Sequence, residues 1–278
     1  INLGFPPSFF ASWIGTLSYT LQIYFDFSAY SEMAIGLGLL FGIKLPINFN
    51  SPYKSNSIIE FWSRWNITLS NFIKDYIYIP LFSNLAKLNK NLFNVHLFSI
   101  FLSMIISGLW HGAGWNFIWW GLIHGIALAL NHLIRSLNTF PDFPNFLKKI
   151  FLIIFINLSF IFFHSQNMNN TWRIIHGLFP LDRILNNEIW SLQSEIYGIG
   201  IKGSILIIFL LLFTVLSKSG LNIIGYSQNN NKFEINSVLD KFNKNSFFIF
   251  LSAILVSLIF FICLININGE NSFIYFQF

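Results

Sequence analysis

The sequence predicts an all-α, polytopic membrane protein. Of its 278 residues, 54% are hydrophobic and only 10% are charged, and the mean hydropathy is +0.61. A soluble domain would carry about 25% charged residues. The apolar residues also fall in runs close to the roughly 20 residues that a helix needs to cross a bilayer. The net charge of +5 does not indicate nucleic-acid binding, because the lysines and arginines lie between apolar runs and not on one polar face.

The first candidate helix covers residues 9–24 and continues into residues 24–43, where Asp26 and Glu32 interrupt the apolar sequence. Carboxylates this close to hydrocarbon are expected at a helix end, in an interhelical hydrogen bond, or facing a polar cavity. For Asp26 these interpretations stay open. The chain begins with Ile1 and shows no signal peptide, so we expect that further N-terminal spans precede this helix.

Residues 44–94 are rich in lysine and proline and predict an amphipathic helix that lies in the membrane interface. Apolar and aromatic side chains recur there at helical spacing, and charged residues occupy the remaining face. The apolar positions are Ile58, Phe61, Trp62, Trp65, Leu69 and Phe72. Tryptophans in such a helix are expected at the depth of the lipid headgroups.

Two apolar runs, residues 95–110 and 113–134, are joined by a His-Gly-Ala-Gly link and predict a helical hairpin. The first run is short for a full span, so the link can lie below the membrane surface. Non-helical backbone at that depth is tolerated only where protein or a water-filled cavity surrounds it. Three glycines would permit the turn and a close approach of the helices: Gly108, Gly112 and Gly114.

The hairpin holds two histidines among four tryptophans, and an imidazole is costly in hydrocarbon unless it is paired or functional. His111, at the glycine link, is the candidate for chemistry, and the alternative is a hydrogen bond across a helix pair. His124 is a supporting candidate, with a packing role as its alternative. The histidine spacings do not predict a metal site. The tryptophans are Trp110, Trp115, Trp119 and Trp120.

Further spans are expected near residues 148–164, 203–216 and 246–265, and residues 227–236 are expected to form a loop. If residues 44–94 lie in the cytoplasm, the lysines and arginines of the connecting segments satisfy the positive-inside rule. The expected location is the inner membrane of a bacterium, which the protein would cross several times.

Several stretches in order resemble the membrane-bound O-acyltransferase family. They are QIYFDFSAYSEMAIGLGLLFGIKLPINFNSPY, IIEFWSRWNITLSNFIKDYIYIPL, SGLWHGAGWNFIWWGLIHG and the final FIYFQF. They are most similar to its bacterial branch, typified by the integral-membrane subunit of alginate O-acetylation. The resemblance implies one membrane domain over residues 1–278, with helices around a central funnel or tunnel. It also implies transfer of an acyl group from a thioester donor to a hydroxyl.

The resemblance implies that His111 is the catalytic histidine of the LWHG motif, and a neutral imidazole is suited to remove a hydroxyl proton. Asn66 stands where the alginate-like branch usually has histidine. We expect it to orient the imidazole or to donate to the carbonyl oxygen. Trp110 would pack in the wall or narrow a tunnel for short acyl chains. Arg64 would contact an anionic donor or form a solvated basic face against anionic lipid.

The function expected from the sequence is O-acetylation of an exported, alginate-like polysaccharide. The acetyl group would come from cytoplasmic acetyl-CoA or another acyl thioester, with no bound cofactor and with membrane lipid around the protein. Family analogy adds a periplasmic acetyltransferase or polysaccharide-modification partner. The alternatives are D-alanyl or other acyl transfer to a different envelope acceptor, and a channel or transporter whose buried polar groups line a solute path.

Overall fold

The computed structural model describes residues 9–88, 91–137, 143–165, 167–179, 200–217, 226–229 and 232–235. In these ranges the regular secondary structure is helical apart from one short hairpin, which confirms the predicted all-α class. The helices are α1 (Phe9–Leu40), α2 (Ile58–Trp62), α3 (Ile67–Ile73), α4 (Ile79–Ala86), α5 (Leu92–His111), α6 (Trp115–Leu137), α7 (Asn145–His164), α8 (Met168–Leu178) and α9 (Gly200–Leu216). By length and composition, α5, α6 and α7 can each cross a membrane.

The chain divides into two compact units. The first contains Ile1–Phe25 and Asn48–Leu216, and the second contains Asp26–Ile47 and Ser217–Phe278. All three candidate spans and the site described below belong to the first unit.

In the second unit, helix α1 ends in a glycine cap. Gly42 has φ of 72°, and the Ile43 N–H donates back to the Gly38 carbonyl over 2.8 Å. A residue with a left-handed backbone at this position usually allows the last carbonyls of a helix to accept hydrogen bonds. The segment that follows returns along the helix and packs Leu45 and Ile47 on Ile35.

The second unit also contains a β-hairpin where the sequence predicted a loop. Strands β1 (Tyr226–Asn229) and β2 (Lys232–Ile235) pair antiparallel, with Asn229 opposite Lys232. The loop prediction for residues 227–236 is therefore wrong. Polar and apolar residues alternate along β2 (KFEI), and this period of two is typical of a strand. The asparagine-rich composition of this segment favoured a loop over this strand pattern in the prediction.

Helix α1 runs without a break through both carboxylates that were expected to interrupt it. Asp26 and Glu32 therefore lie inside the helix, and the helix-end interpretation of Asp26 is wrong. A single carboxylate costs a helix only a few tenths of a kcal/mol, roughly the propensity difference between aspartate and a good helix former. The surrounding apolar sequence is sufficient to continue the helix.

The segment predicted as one interfacial helix is helical but broken. Helices α2 and α3 are separated at Asn66, whose backbone is left-handed (φ 42°, ψ 57°), and a π-helical turn (Lys74–Tyr78) precedes α4. Trp65 is buried against Phe61 and Phe160, with ring centroids 5.5 Å away in both cases. The Trp65 ring therefore packs against other helices, and its expected depth at the lipid headgroups stays a prediction.

The predicted hairpin of α5 and α6 is confirmed, with residues 112–114 as the link. Its helices touch through glycine. A Cβ on Gly108 would collide with the Phe117 carbonyl, and one on Gly121 would collide with the Met104 carbonyl. Gly125 continues the seam, since its Cβ would lie 2.9 Å from the Phe101 carbonyl. Small residues allow this backbone contact between membrane helices. Of these three glycines, only Gly108 was predicted to permit it.

Two of the further predicted spans are confirmed as helices, α7 and α9, although α9 has only 17 residues. The third, residues 246–265, lies outside the described residues. Helix α7 is tied to the first half of α1 by buried polar groups. The Thr20 hydroxyl donates to Asn157 Oδ1 over 2.8 Å, and the Tyr53 hydroxyl donates to the Thr20 carbonyl over 2.7 Å.

Candidate functional site

His111 is the last residue of α5, at the point where the hairpin leaves the helix. Its half-buried ring lies among aromatic side chains, 5.2 Å from Trp120, 5.0 Å from Phe163 and 4.9 Å from Trp110 between ring centroids. The next residue, Gly112, leaves no side chain to cover it. The hairpin thus presents one imidazole at the edge of a cluster of aromatic rings.

The imidazole nitrogens of His111 form no hydrogen bond with any residue that the structure describes. The ring is therefore not held as part of a structural hydrogen-bond network. Burial in an apolar setting favours the neutral imidazole, which has one nitrogen free to accept a proton. These are the properties required of a general base.

His124 has the opposite environment. It is fully buried, and both ring nitrogens are engaged, Nδ1 by Trp62 Nε1 over 3.3 Å and Nε2 by Ser159 Oγ over 3.0 Å. Because an indole N–H can only donate, Nδ1 must accept and Nε2–H must donate. The Ser159 hydroxyl in turn donates a hydrogen bond to the Ile156 carbonyl over 2.8 Å. This closed chain favours the packing and hydrogen-bonding role for His124.

Asn66 occupies the break between α2 and α3 and is 6% exposed. Its carbonyl accepts from the Ser70 N–H over 2.9 Å, and the backbone N–H of Ile67 donates to Asn48 over 3.0 Å. Its side-chain amide has no hydrogen-bond partner among the described residues and does not cap α3. No hydrogen bond between Asn66 and His111 is found in the described part of the chain. The link is indirect, since Trp62 packs on Trp120 at 5.9 Å.

The profile of the family described as MBOAT, membrane-bound O-acyltransferase family, matches residues 4–172. These residues include α1 to α7 and therefore His111, His124 and Asn66. The chain belongs to the membrane-bound O-acyltransferase family. The resemblance carried by the LWHG motif and the other quoted stretches is thereby confirmed at the level of the family.

Curated members of the membrane-bound O-acyltransferase family are similar over part of their length. A peptidoglycan O-acetyltransferase of Helicobacter pylori is 46% identical over 184 residues, which is 64% of this chain and 33% of the relative. A protein named "Probable alginate O-acetylase" from Pseudomonas aeruginosa is 42% identical over 168 residues, 60% of this chain and 31% of the relative. A teichoic acid D-alanyltransferase of Streptococcus thermophilus is 37% identical over 115 residues, 41% and 28% respectively. The chain spans about a third of the length of these relatives.

Arg64 is held in place by contacts with residues that are near it in the chain. Its guanidinium forms an ion pair with Glu60 Oε1 at 2.8 Å and donates to the Asn50 carbonyl over 3.2 Å. The Arg64 carbonyl in turn accepts from the Asn50 N–H over 3.0 Å. These contacts fix the turn that carries Asn66. They favour a structural role for Arg64 over contact with an anionic donor.

The four tryptophans of the hairpin separate into two groups. Trp120 is 3% exposed and contacts both histidines, whereas Trp110 is 63% exposed and touches only the edge of the His111 ring. Trp115 and Trp119 are largely exposed. Of the four tryptophans, Trp120 therefore agrees best with the expectation that they pack in the wall around His111. Asp26, the remaining predicted site residue, belongs to the second unit, and its role stays a prediction.

A second polar cluster was not recognised in the sequence. The Tyr78 hydroxyl is 2.7 Å from His96 Nδ1, and His96 Nε2 is 3.3 Å from His132 Nδ1, so the π-helical turn is linked to α5 and α6. Burial raises the pKa of Tyr78, which keeps its hydroxyl protonated. Within the described ranges, no group of three or more histidine, cysteine or acidic residues could hold a metal ion.

Proposed function

We propose that this chain forms the catalytic part of a membrane-embedded O-acyltransferase in which His111 is the general base. The observation that carries the proposal is the His111 imidazole at the break between α5 and α6, which has no hydrogen-bond partner among the described residues and lies within the stretch that the family profile matches. This observation distinguishes His111 from His124, which lies in the same hairpin but has both ring nitrogens in hydrogen bonds.

The reaction follows from the properties of a neutral imidazole. The hydroxyl oxygen of the acceptor attacks the thioester carbonyl carbon while His111 takes the hydroxyl proton. The carbonyl electron pair moves onto oxygen, and its return expels the thiolate. The thiolate takes the proton from the imidazolium, so an ester and a free thiol leave, and His111 is neutral again.

Asn66 is proposed to assist this step through its side-chain amide. An amide can donate to a developing oxyanion or accept from the imidazole N–H, but it cannot act as a base. The amide is unpaired among the described residues, so it has both capacities free. The segment that carries it packs toward His111 through Trp62 and Trp120.

The acyl group is proposed to be acetyl, from acetyl-CoA or another cytoplasmic thioester, and the acceptor an exported cell-envelope polysaccharide. Relatives named as O-acetyltransferases of peptidoglycan and alginate are 46% and 42% identical, and they support this choice. D-alanyl transfer is the second candidate, because a teichoic acid D-alanyltransferase is 37% identical over a shorter region.

The proposed location is the bacterial inner membrane, which agrees with three helices that can span it. An acetyl group delivered across that membrane needs a group that receives it on the outer side. We therefore propose a periplasmic transferase or the polysaccharide itself as the receiving partner. In the alternative class, a channel or transporter would use the same buried polar groups to conduct a solute.

The test replaces His111 with alanine in the intact protein, in cells that make the polysaccharide. We expect the O-acetyl content per unit of membrane protein to fall at least about 100-fold, the usual scale for loss of a general base. His176→Ala is the matched control, because that histidine is exposed on α8. Normal acetylation in His111→Ala would overturn the proposal and favour the transport class.

Isotope labelling separates the two acyl groups. Cells given labelled acetate or labelled D-alanine are compared before and after His111→Ala. Loss of acetyl label from the envelope supports acetyl transfer. Loss of D-alanyl label alone would move the chain to the second candidate.

A further inference from the structure

Five side chains of the α5–α6 hairpin have a buried polar atom with no hydrogen-bond partner among the described residues. Two of them, Ser99 and Asn131, are far from His111 in the chain, and the other three are close to it. These three lie on either side of His111 in the chain, and buried polar atoms are otherwise almost always paired. Their unpaired atoms are Ser107 Oγ, Asn116 Oδ1 and Trp120 Nε1. Ser107 precedes His111 by about one turn of α5, and Asn116 and Trp120 are about one turn apart on α6. The unpaired groups therefore flank the proposed base.

Trp120 differs from the other two because its ring contacts the His111 ring, at 5.2 Å and nearly perpendicular. Its Nε1–H can only donate, whereas the free atom of Asn116 is an oxygen that can only accept. The amide nitrogen of Asn116 is already used, since it donates to the Ser165 carbonyl. Of these three side chains, Trp120 is therefore the one whose free polar atom can only donate and whose ring contacts the proposed base, His111.

The position of the Trp120 indole is fixed from several sides. Its centroid lies 4.8 Å from His124, 5.9 Å from Trp62 and 5.5 Å from Phe163, and its side chain is almost wholly buried. A donor held this firmly does not need to reorganise when charge develops on a bound group. That is the requirement for effective stabilisation of an oxyanion in a site shielded from water.

We propose that Trp120 Nε1–H binds the carbonyl oxygen of the acyl thioester and stabilises the negative charge that forms there. This rests on the function proposed above. In that step the acceptor oxygen bonds to the carbonyl carbon, and His111 holds the hydroxyl proton. The oxygen facing Trp120 carries the displaced electron pair until that pair re-forms the carbonyl bond, and the thiolate then leaves with the electrons of the carbon–sulfur bond. Trp120 makes and breaks no covalent bond.

The experiment removes the N–H while keeping the shape of the ring. Trp120 is replaced with 3-benzothienylalanine, in which sulfur stands in place of the indole N–H, and separately with phenylalanine. The initial rate of O-acetyl accumulation is measured in cells after induction of the intact protein, per unit of membrane protein. We expect both variants to be about 100-fold slower, as for loss of one oxyanion donor.

Trp119→Phe is the matched control, because Trp119 is the adjacent residue and is 43% exposed. Its rate should equal that of the unmodified protein. A benzothienyl variant at the normal rate would overturn the assignment, including when Trp120→Phe is slow, since the ring would then serve only in packing. His111→Ala identifies which proposal fails. If His111→Ala is inactive while the benzothienyl variant is active, only the proposed role of Trp120 is refuted. If His111→Ala is active, the proposed function is refuted as well.

Discussion

Trp62 donates its indole N–H to Nδ1 of His124 over 3.3 Å, and this bond joins α2 to α6. On its other side His124 is bonded to Ser159 of α7. Three helices of the first unit therefore meet at one buried, neutral imidazole. Because α2 leads directly into the turn at Asn66, the same imidazole holds that turn relative to the hairpin that carries His111.

His124→Phe should destabilise the protein without removing its chemistry. The substitution leaves the N–H of Trp62 unpaired in the interior, which costs about 1–3 kcal/mol. We expect a lower midpoint of thermal unfolding in detergent and roughly tenfold lower acyl transfer, the scale of a modest displacement. The pH dependence of the residual activity should be unchanged, because His124 takes no proton from the substrate.

A double-mutant cycle with Trp62→Phe tests the cause of that loss. Two substitutions that remove the same hydrogen bond should together cost less than the sum of their separate costs. Strictly additive losses of stability would show that the bond between Trp62 and His124 is not what His124→Phe removes. Complete loss of activity in a folded His124→Phe protein would instead indicate a direct chemical role.

The helices of the first unit were largely predictable, because apolar runs near span length report burial in lipid directly. The exact contact between α5 and α6 was not. Gly121 faces the Met104 carbonyl because of the register of the hairpin, and register depends on packing along both helices. The break at Asn66 also gave only a weak signal, since asparagine tolerates the left-handed region but does not require it.

The sequence was sufficient to single out His111 as a candidate base, but not to predict the contacts around the two histidines of the hairpin. His111 stands at a glycine-rich link in a family motif, and both signals are local. The partners of His124 are 62 and 35 residues away in sequence, so no periodicity brings them together. Ser159 in particular is one serine in an apolar run, which is common in membrane helices and indicates nothing by itself.

Asn66→Gly and Asn66→Ala separate the backbone of this residue from its amide. Glycine adopts the left-handed conformation freely, whereas alanine loses about 1–2 kcal/mol there. We expect the glycine variant to unfold at nearly the normal temperature, yet to transfer acyl groups about 10–100-fold more slowly because the amide is gone. Thermal unfolding and O-acetyl content are measured on the same preparations. Full activity in Asn66→Gly would leave Asn66 with a role in the turn alone.

Gly121→Ala should separate the helices of the hairpin. The added methyl group would collide with the backbone carbonyl of Met104, which cannot rotate away as a side chain would. We expect a loss of about 1–3 kcal/mol, the usual cost of overpacking, and a lower unfolding temperature in detergent. Gly15→Ala is the control, since a Cβ there meets nothing within 4 Å. Equal unfolding temperatures for the two variants would contradict the glycine seam.

Tyr53→Phe tests the buried network that ties α1 to α7. The hydroxyl of Tyr53 donates to the Thr20 carbonyl over 2.7 Å, so its removal should cost about 1 kcal/mol at neutral pH. Burial, together with the nearby Tyr24, raises the pKa of Tyr53 well above 10.0. Below the pKa of the unfolded chain, Tyr53 is neutral in both states and its stabilising contribution is fully present.

Above about pH 10 the tyrosine of the unfolded chain ionises while the buried one does not, so folding loses stability as the pH rises. Phenylalanine cannot ionise and escapes this part of the loss. The deficit of Tyr53→Phe relative to the unmodified protein should therefore shrink between pH 8 and pH 11 in unfolding experiments in detergent. A deficit that stays constant over this range would show that Tyr53 ionises as readily in the folded protein as in the unfolded chain.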